Sequence, residues 1–321
     1  MISREQMDKN QVWIYVATLI IAAGVGVWLP EFSSNLDGFI SFVLAVLMYG
    51  MFTQIPFFRL KDAFRNRKFI YALLLTNYLA VPLIVWGLVR FLPGDPALLL
   101  GVLLVLLTPC IDYVIVFTHL GLGDEKLILT STPLLFVSQM LLLPLYLWLF
   151  MGDQASGIVS AGPFAEAFIS LIIIPLMFAL LTQWWSKHKP QGERALHAAA
   201  WLPVPFMALT LFLIVASQIA KLYGSLEYVG QVIPLYAAYM IITPVAARLV
   251  SALFRLDARA GRALIFSAGT RNSLVVLPSA LALPETLRGV VSAVIVTQTM
   301  IELIGELFYI RFVPHVLMRE R

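Results

Sequence analysis

Apolar stretches of membrane-crossing length occupy nearly all of this chain, which leaves few folds open to it. A membrane span needs roughly 20 apolar residues. Ten such stretches can be marked, at about 11–29, 37–58, 69–91, 97–119, 126–151, 163–185, 199–222, 229–254, 262–283 and 287–314. The 321 residues are 60% hydrophobic and 12% charged, with a mean hydropathy of +0.90. Only short connectors are left over, too short for a soluble catalytic domain. The reading is an all-α polytopic membrane protein with ten transmembrane helices, not an enzyme. Its first stretch, from Trp13, reads as a span rather than a signal peptide, because it is long for an h-region and its leader carries acids as well as bases.

Charge and cysteine usage narrow the options further. The chain has a formal net charge of +4, but the basic residues collect in alternate loops. They lie at the N-terminus (Arg4, Lys9), in the second loop (Arg59, Lys61, Arg65, Arg67, Lys68), in the sixth (Lys187, Lys189, Arg194), in the eighth (Arg255, Arg259, Arg262) and at the C-terminus (Arg311, Arg319, Arg321). The opposite loops hold only Arg90, Lys221 and Arg288. Cytoplasmic loops carry the Lys/Arg excess, so both termini are expected inside a cell membrane. The charge is then a topology signal rather than a nucleic-acid surface. One cysteine leaves no intrachain disulfide and no CxxC site. The four histidines fall near span ends in no ligand spacing, so no metal site and no cofactor are expected.

Ten spans divide into halves of five, 1–155 and 156–321, and an odd number per half forces the second to insert upside down. Pro82 and Pro244, Asp95 and Asp257, and Thr108 and Thr270 each lie about 162 residues apart. That offset lays span 3 on span 8 and span 4 on span 9. Both members of the second pair are interrupted. In span 4, Pro109 removes a backbone donor and clashes with the carbonyl of Val105, within Thr108-Pro109-Cys110-Ile111-Asp112. In span 9 the corresponding stretch is Gly269-Thr270-Arg271-Asn272-Ser273. Backbone opened in hydrocarbon is tolerated only where protein or a wet cavity satisfies it. Paired interruptions in corresponding halves point to a transporter's binding site.

Helices rise about 1.5 Å per residue, so position within a span gives depth. Cys110, Asp112, Arg271, Asn272 and Glu302 share the bilayer centre. Asn77 on span 3 and Ser138 and Gln139 on span 5 reach a similar level. Charge at that depth costs on the order of 3 kcal/mol on insertion scales. Several polar groups at one level imply a shared cavity. Arg271 cannot lose its proton and needs an anion or carbonyls. It is expected to pair with Asp112 or with a bound substrate anion, and a static ion pair holding the crossing together is the plainer alternative. Gln298, Glu302 and Glu306 recur every four residues and so line one inward face of span 10. Glu302 lies deepest and is the candidate proton carrier. Glu306, nearer the cytoplasmic end, reads as a solvated vestibule acid. Cys110 is either a small buried hydrophobe or, beside the break, a soft ligand.

Ten spans, an inverted repeat and crossed breaks resemble the bile acid/arsenite/riboflavin transporter superfamily along nearly the whole chain. Thr108-Pro109-Cys110, Thr270-Arg271-Asn272-Ser273 and Ile301-Glu302 are most similar to the arsenical-resistance permeases. That resemblance implies Cys110 and Glu302 as a functional pair. It also implies a core of helices 3–5 and 8–10 rocking against a panel of helices 1, 2, 6 and 7. The sodium-coupled bile acid branch carries Glu-x-Gly-x-Gln-Asn-Ser on span 9. Here the positions read Ser267-Ala268-Gly269-Thr270-Arg271-Asn272-Ser273, so a fixed cation stands where a sodium ligand would be.

The expected function is efflux of arsenite or antimonite by proton antiport. Cys110, Thr108, Thr270, Asn272, Ser273 and the half-helix N-termini would face substrate, together with Asp112 and Arg271. Glu302 and Glu306 would serve proton coupling, while Asn77, Ser138, Gln139, Ser267 and Gln298 would line the polar cavity. The chief alternative is transport of a small organic anion held by Arg271. An intramembrane enzyme finds no HExxH, catalytic aspartate pair or Ser/His arrangement at one depth. A passive channel would differ by not transporting against a gradient.

Overall fold

Proline and a few polar residues decide where the helices of this chain bend and stop. The computed structural model describes residues 4–29, 33, 36–55, 57, 66–111, 113–152, 169–222, 226–281 and 283–319. Among these the secondary structure is helical apart from one isolated bridge. Six helices are long and apolar enough to cross a membrane: Arg67–Phe91, Glu125–Met151, Ile169–Ser186, Pro190–Ser217, Glu227–Leu253 and Thr286–Leu317. Trp13–Trp28, Phe39–Gln54 and Pro96–Leu106 are apolar but shorter.

The fourth and ninth apolar stretches do not run as single helices. The fourth forms α1, Pro96–Leu106, and α2, Val114–Leu120. The ninth forms α3, Ala258–Gly269, and α4, Ser273–Leu281. Helix α1 starts where the Asp95 carboxylate accepts from the N–H groups of Ala97 and Leu98, at 2.8 and 3.1 Å. Helix α3 starts in the same way, with Asp257 accepting from Ala260 at 2.9 Å. Each cap satisfies donors that a helix start leaves open. At their other ends, the Thr108 hydroxyl donates to the Leu104 carbonyl at 3.0 Å and the Thr270 hydroxyl to that of Phe266 at 2.7 Å. Such back-bonding competes with the ladder just where it ends.

The paired prolines behave alike too. A proline frees the carbonyl four residues earlier. For Pro82 that is Tyr78, in a widened turn at Thr76–Ala80, and its carbonyl accepts from the Tyr146 hydroxyl. For Pro244 it is Met240, whose carbonyl accepts from the Tyr309 hydroxyl. All three residue pairs set 162 apart in sequence thus do the same local work.

The described residues fall into two units. One comprises Met1–Ile55, Val159–Leu226 and Leu277–Ala293, and the other Pro56–Ile158, Glu227–Val276 and Val294–Arg321. In the first, Gly50 admits Leu202 and Pro203 so closely that a Cβ would lie 2.8 Å from Leu202. The Gln183 amide closes the end of helix Asp37–Gln54 by donating to the carbonyls of Phe52, Thr53 and Ile55 at 2.9, 3.2 and 2.9 Å. One amide, its two hydrogens shared, thus serves a helix end in apolar surroundings, where unmet acceptors are costly. Replacing it, Gln183→Leu, is expected to destabilise the fold by about 2 kcal/mol, read as a lower unfolding temperature of the detergent-solubilised protein.

Candidate functional site

All the polar residues placed at mid-depth by the sequence that the structure describes belong to the second unit. Its centre is the crossing of the two helix interruptions. Pro109 and Arg271 form an isolated antiparallel bridge. The Cys110 N–H donates to the Thr270 carbonyl at 3.2 Å, and the Asn272 N–H donates to the Thr108 carbonyl at 2.8 Å. Two strands too short to be a sheet therefore exchange the hydrogen bonds that each helix lost. Thr108, Cys110, Thr270, Arg271, Asn272 and Ser273 are all buried here. Asp112 lies outside the described residues.

Arg271 is fully buried. Its Nη2 donates to Asn77 Oδ1 at 2.8 Å and to the carbonyls of Ser267 and Ala268, the latter at 2.9 Å; its Nη1 reaches the Leu106 carbonyl at 3.5 Å. Those carbonyls close α3 and α1, so the guanidinium lies against the negative ends of two half-helices. Its carbon also sits 5.9 Å from the centre of the Tyr239 ring. Among the described residues the guanidinium pairs with no carboxylate. Of the partners expected for it, carbonyls are present, and Asp112 lies outside the described residues.

Asn77 is held in place for this task. Its Nδ2 donates to the Leu73 carbonyl and to Ser267 Oγ, both at 3.1 Å, leaving Oδ1 for Arg271. It lies in the widened turn that Pro82 creates, and such turns favour functional positions.

Glu302 is 1% exposed. Its Oε2 accepts from the Arg271 backbone N–H at 2.7 Å and from the Gln298 amide. Its Oε1 meets the Tyr113 hydroxyl at 2.7 Å, and that hydroxyl also lies 3.1 Å from the Arg271 carbonyl. Glu306 corrects an expectation. It is no solvated vestibule acid but fully buried, with Oε1 2.9 Å from the Thr270 hydroxyl. Thr270 and Arg271 are consecutive, so one interruption reads both acids of the facing helix. Gly269 keeps the approach open, since a Cβ there would lie 2.7 Å from Tyr309 and 3.3 Å from Glu306.

Several buried groups at this centre have no protein partner among the described residues: Asn272 Nδ2, Ser273 Oγ, Gln298 Oε1, Arg271 Nε and Glu306 Oε2. Asn272 spends its Oδ1 on the Val275 N–H at 3.3 Å, at the start of α4. Ser138 is half-buried, while Gln139 is buried with neither amide atom partnered among the described residues. Among those residues neither bonds to the crossing. Tyr113 and Tyr239 are the contributors that sequence reasoning passed over. The Tyr239 hydroxyl donates to the Ala268 carbonyl at 2.8 Å. A tyrosine within an apolar stretch reads as packing, and only its place directly after Asp112 pointed to the site.

An Asn77→Leu substitution should leave Nη2 of Arg271 without its side-chain acceptor in an apolar setting. The expected cost is about 2 kcal/mol, seen as a lower unfolding temperature, with Asn77→Asp losing less because it retains an acceptor.

Compared with known protein families, residues 41–225 match the Sodium Bile acid symporter family. A search of curated proteins finds no match.

Proposed function

We propose that this chain, which belongs to the sodium bile acid symporter family, is a secondary active transporter that expels arsenite or antimonite in exchange for protons. The family makes it a membrane transporter rather than an enzyme. The finer reading rests on one observation above all, the setting of the Arg271 guanidinium. Three backbone carbonyls and one amide oxygen surround it, and hard cations such as sodium take oxygen ligands of this kind. A tethered cation in their midst repels a second one. Two unit charges about 4 Å apart cost roughly 4 kcal/mol at an effective dielectric of about 20. Coupling then falls to a group that exchanges protons, and Glu302 is the acid that accepts from the Arg271 backbone N–H at the crossing.

The substrate assignment draws on the groups around Cys110. A trihydroxy metalloid offers a soft centre for sulfur and hydroxyls for hydrogen bonds. Asn272 Nδ2 and Ser273 Oγ are buried beside the crossing without protein partners among the described residues, and they suit those hydroxyls. We further read the chain as ten spans in two inverted halves, 1–155 and 156–321, with both termini cytoplasmic. The like roles of Asp95 and Asp257, Thr108 and Thr270, and Pro82 and Pro244 support that reading. Helices 3–5 and 8–10 would form the core that carries the site, and helices 1, 2, 6 and 7 the panel.

The family match also favours a second reading, transport of a small organic anion. It requires a carboxylate or sulfonate to compete with the oxygens that already engage Nη1 and Nη2, or to bind through Nε and the second Nη1 hydrogen. Efflux is measured as uptake of arsenite into everted vesicles under a proton gradient. Cys110→Ser and Glu302→Gln should each abolish it, and replacing sodium with choline should change nothing. Full activity in either variant would remove the assigned roles. Sodium-stimulated movement of an organic anion, indifferent to thiol reagents, would favour the second reading.

A further inference from the structure

We infer that Tyr113 is a positioning residue that couples the proton on Glu302 to the crossing, through a hydrogen-bonded ring that closes only when Glu302 is protonated. The inference rests on the proton-exchange reading of Glu302 above and specifies how that proton is sensed. The ring has three edges. Glu302 Oε1 lies 2.7 Å from the Tyr113 hydroxyl, that hydroxyl lies 3.1 Å from the Arg271 carbonyl, and the Arg271 N–H donates to Glu302 Oε2 at 2.7 Å.

Counting hydrogens decides the state. The peptide N–H supplies one and the phenol one, while a carbonyl and an ionised carboxylate supply none. With Glu302 ionised, two hydrogens serve three edges. The phenol then donates to the carboxylate, the stronger acceptor, and the Arg271 carbonyl is left without it. With Glu302 protonated, three hydrogens serve three edges. The acid O–H donates to the phenol oxygen, the phenol O–H turns to the Arg271 carbonyl, and the peptide N–H still donates to Oε2. No bond breaks other than hydrogen bonds, and the only atom gained is the proton on Oε1.

The consequence reaches the crossing directly. In the protonated state both backbone groups of Arg271 are held, one by Glu302 and one by Tyr113. In the ionised state, among the described residues, only its N–H is held. Arg271 is bridged to Pro109 and lies between Thr270, which accepts from the Cys110 N–H, and Asn272. Loading and unloading the proton therefore tightens and releases the segment that carries Cys110. Among the described residues, the charged and titratable groups around Glu302 are Tyr113 just before α2, Arg271 at the interruption, Tyr239 beside its guanidinium, Glu306 one turn along, and Tyr309 beyond it. Asp112 adjoins Tyr113 in sequence. Glu306 repeats the theme, since the Thr270 hydroxyl facing it also faces the Phe266 carbonyl.

Infrared difference spectroscopy of the full chain in lipid nanodiscs tests the ring. A protonated-carboxyl band assigned to Glu302 should disappear as pH rises and be missing in Glu302→Gln. In Tyr113→Phe, which keeps the ring packed edge-on to Phe117, its midpoint should move by about one pH unit and its frequency should change. An unchanged midpoint and frequency would overturn the inference. In the wild type, a phenol band identified by labelled tyrosine should shift with the same midpoint. Its constancy would overturn the inference even if Tyr113→Phe does not fold. In everted vesicles, Tyr113→Phe should flatten the pH profile of arsenite uptake more than it lowers uptake at the optimum. A wild type that moves no arsenite would end the efflux reading, while the infrared bands still decide the ring.

Discussion

A backbone that leaves the helix within apolar surroundings must find partners for every N–H and C=O it uncovers. Here the two interruptions find each other. Cys110 gives its N–H to Thr270, and Asn272 gives its N–H to Thr108. Neither break could stand alone at that depth, because each would strand groups whose desolvation costs several kcal/mol. The exchange also fixes geometry. It brings a thiol-bearing residue, a guanidinium-bearing residue and two polar side chains to one crossing, with four half-helices ending or beginning around it.

Arg271 is the electrostatic counterpart of that exchange. The last carbonyls of a helix carry partial negative charge, and two helices end here together. A cation is needed to balance them. The chain supplies its own, on a side chain anchored at the crossing itself, and Asn77 and Tyr239 also face it. A guanidinium serves such a cluster better than an ammonium, because its planar fork reaches several oxygens at once. Among the described residues, the arrangement keeps a permanent charge buried on carbonyl and amide oxygens.

The carboxyls of Glu302 and Glu306 meet the crossing from a single helix face. Glu302 addresses the Arg271 backbone and Glu306 the Thr270 hydroxyl, so two acids spaced one turn apart read two adjacent residues. Tyrosine hydroxyls finish the work that prolines begin. Tyr146 takes the carbonyl opened by Pro82, and Tyr309 takes the one opened by Pro244. Each kink is thereby a point where one helix is fastened to another.

Much of this was written locally in the chain. Apolar run length dictated helices long enough for a membrane. Pro109 dictated that its run could not stay helical, because a missing N–H and a ring clash act within four residues. The four-residue spacing of Gln298, Glu302 and Glu306 placed them on one face for the same local reason. What each buried group would touch was not local. That Arg271 would also reach Leu106 and Asn77, that Glu306 would be sealed rather than wet, and that Tyr113 would bridge an acid to a peptide all depend on contacts across 36 to 194 residues of chain. A side chain's identity announces that it needs partners; only the packing of distant helices, which sets distances in space rather than in sequence, decides who those partners are.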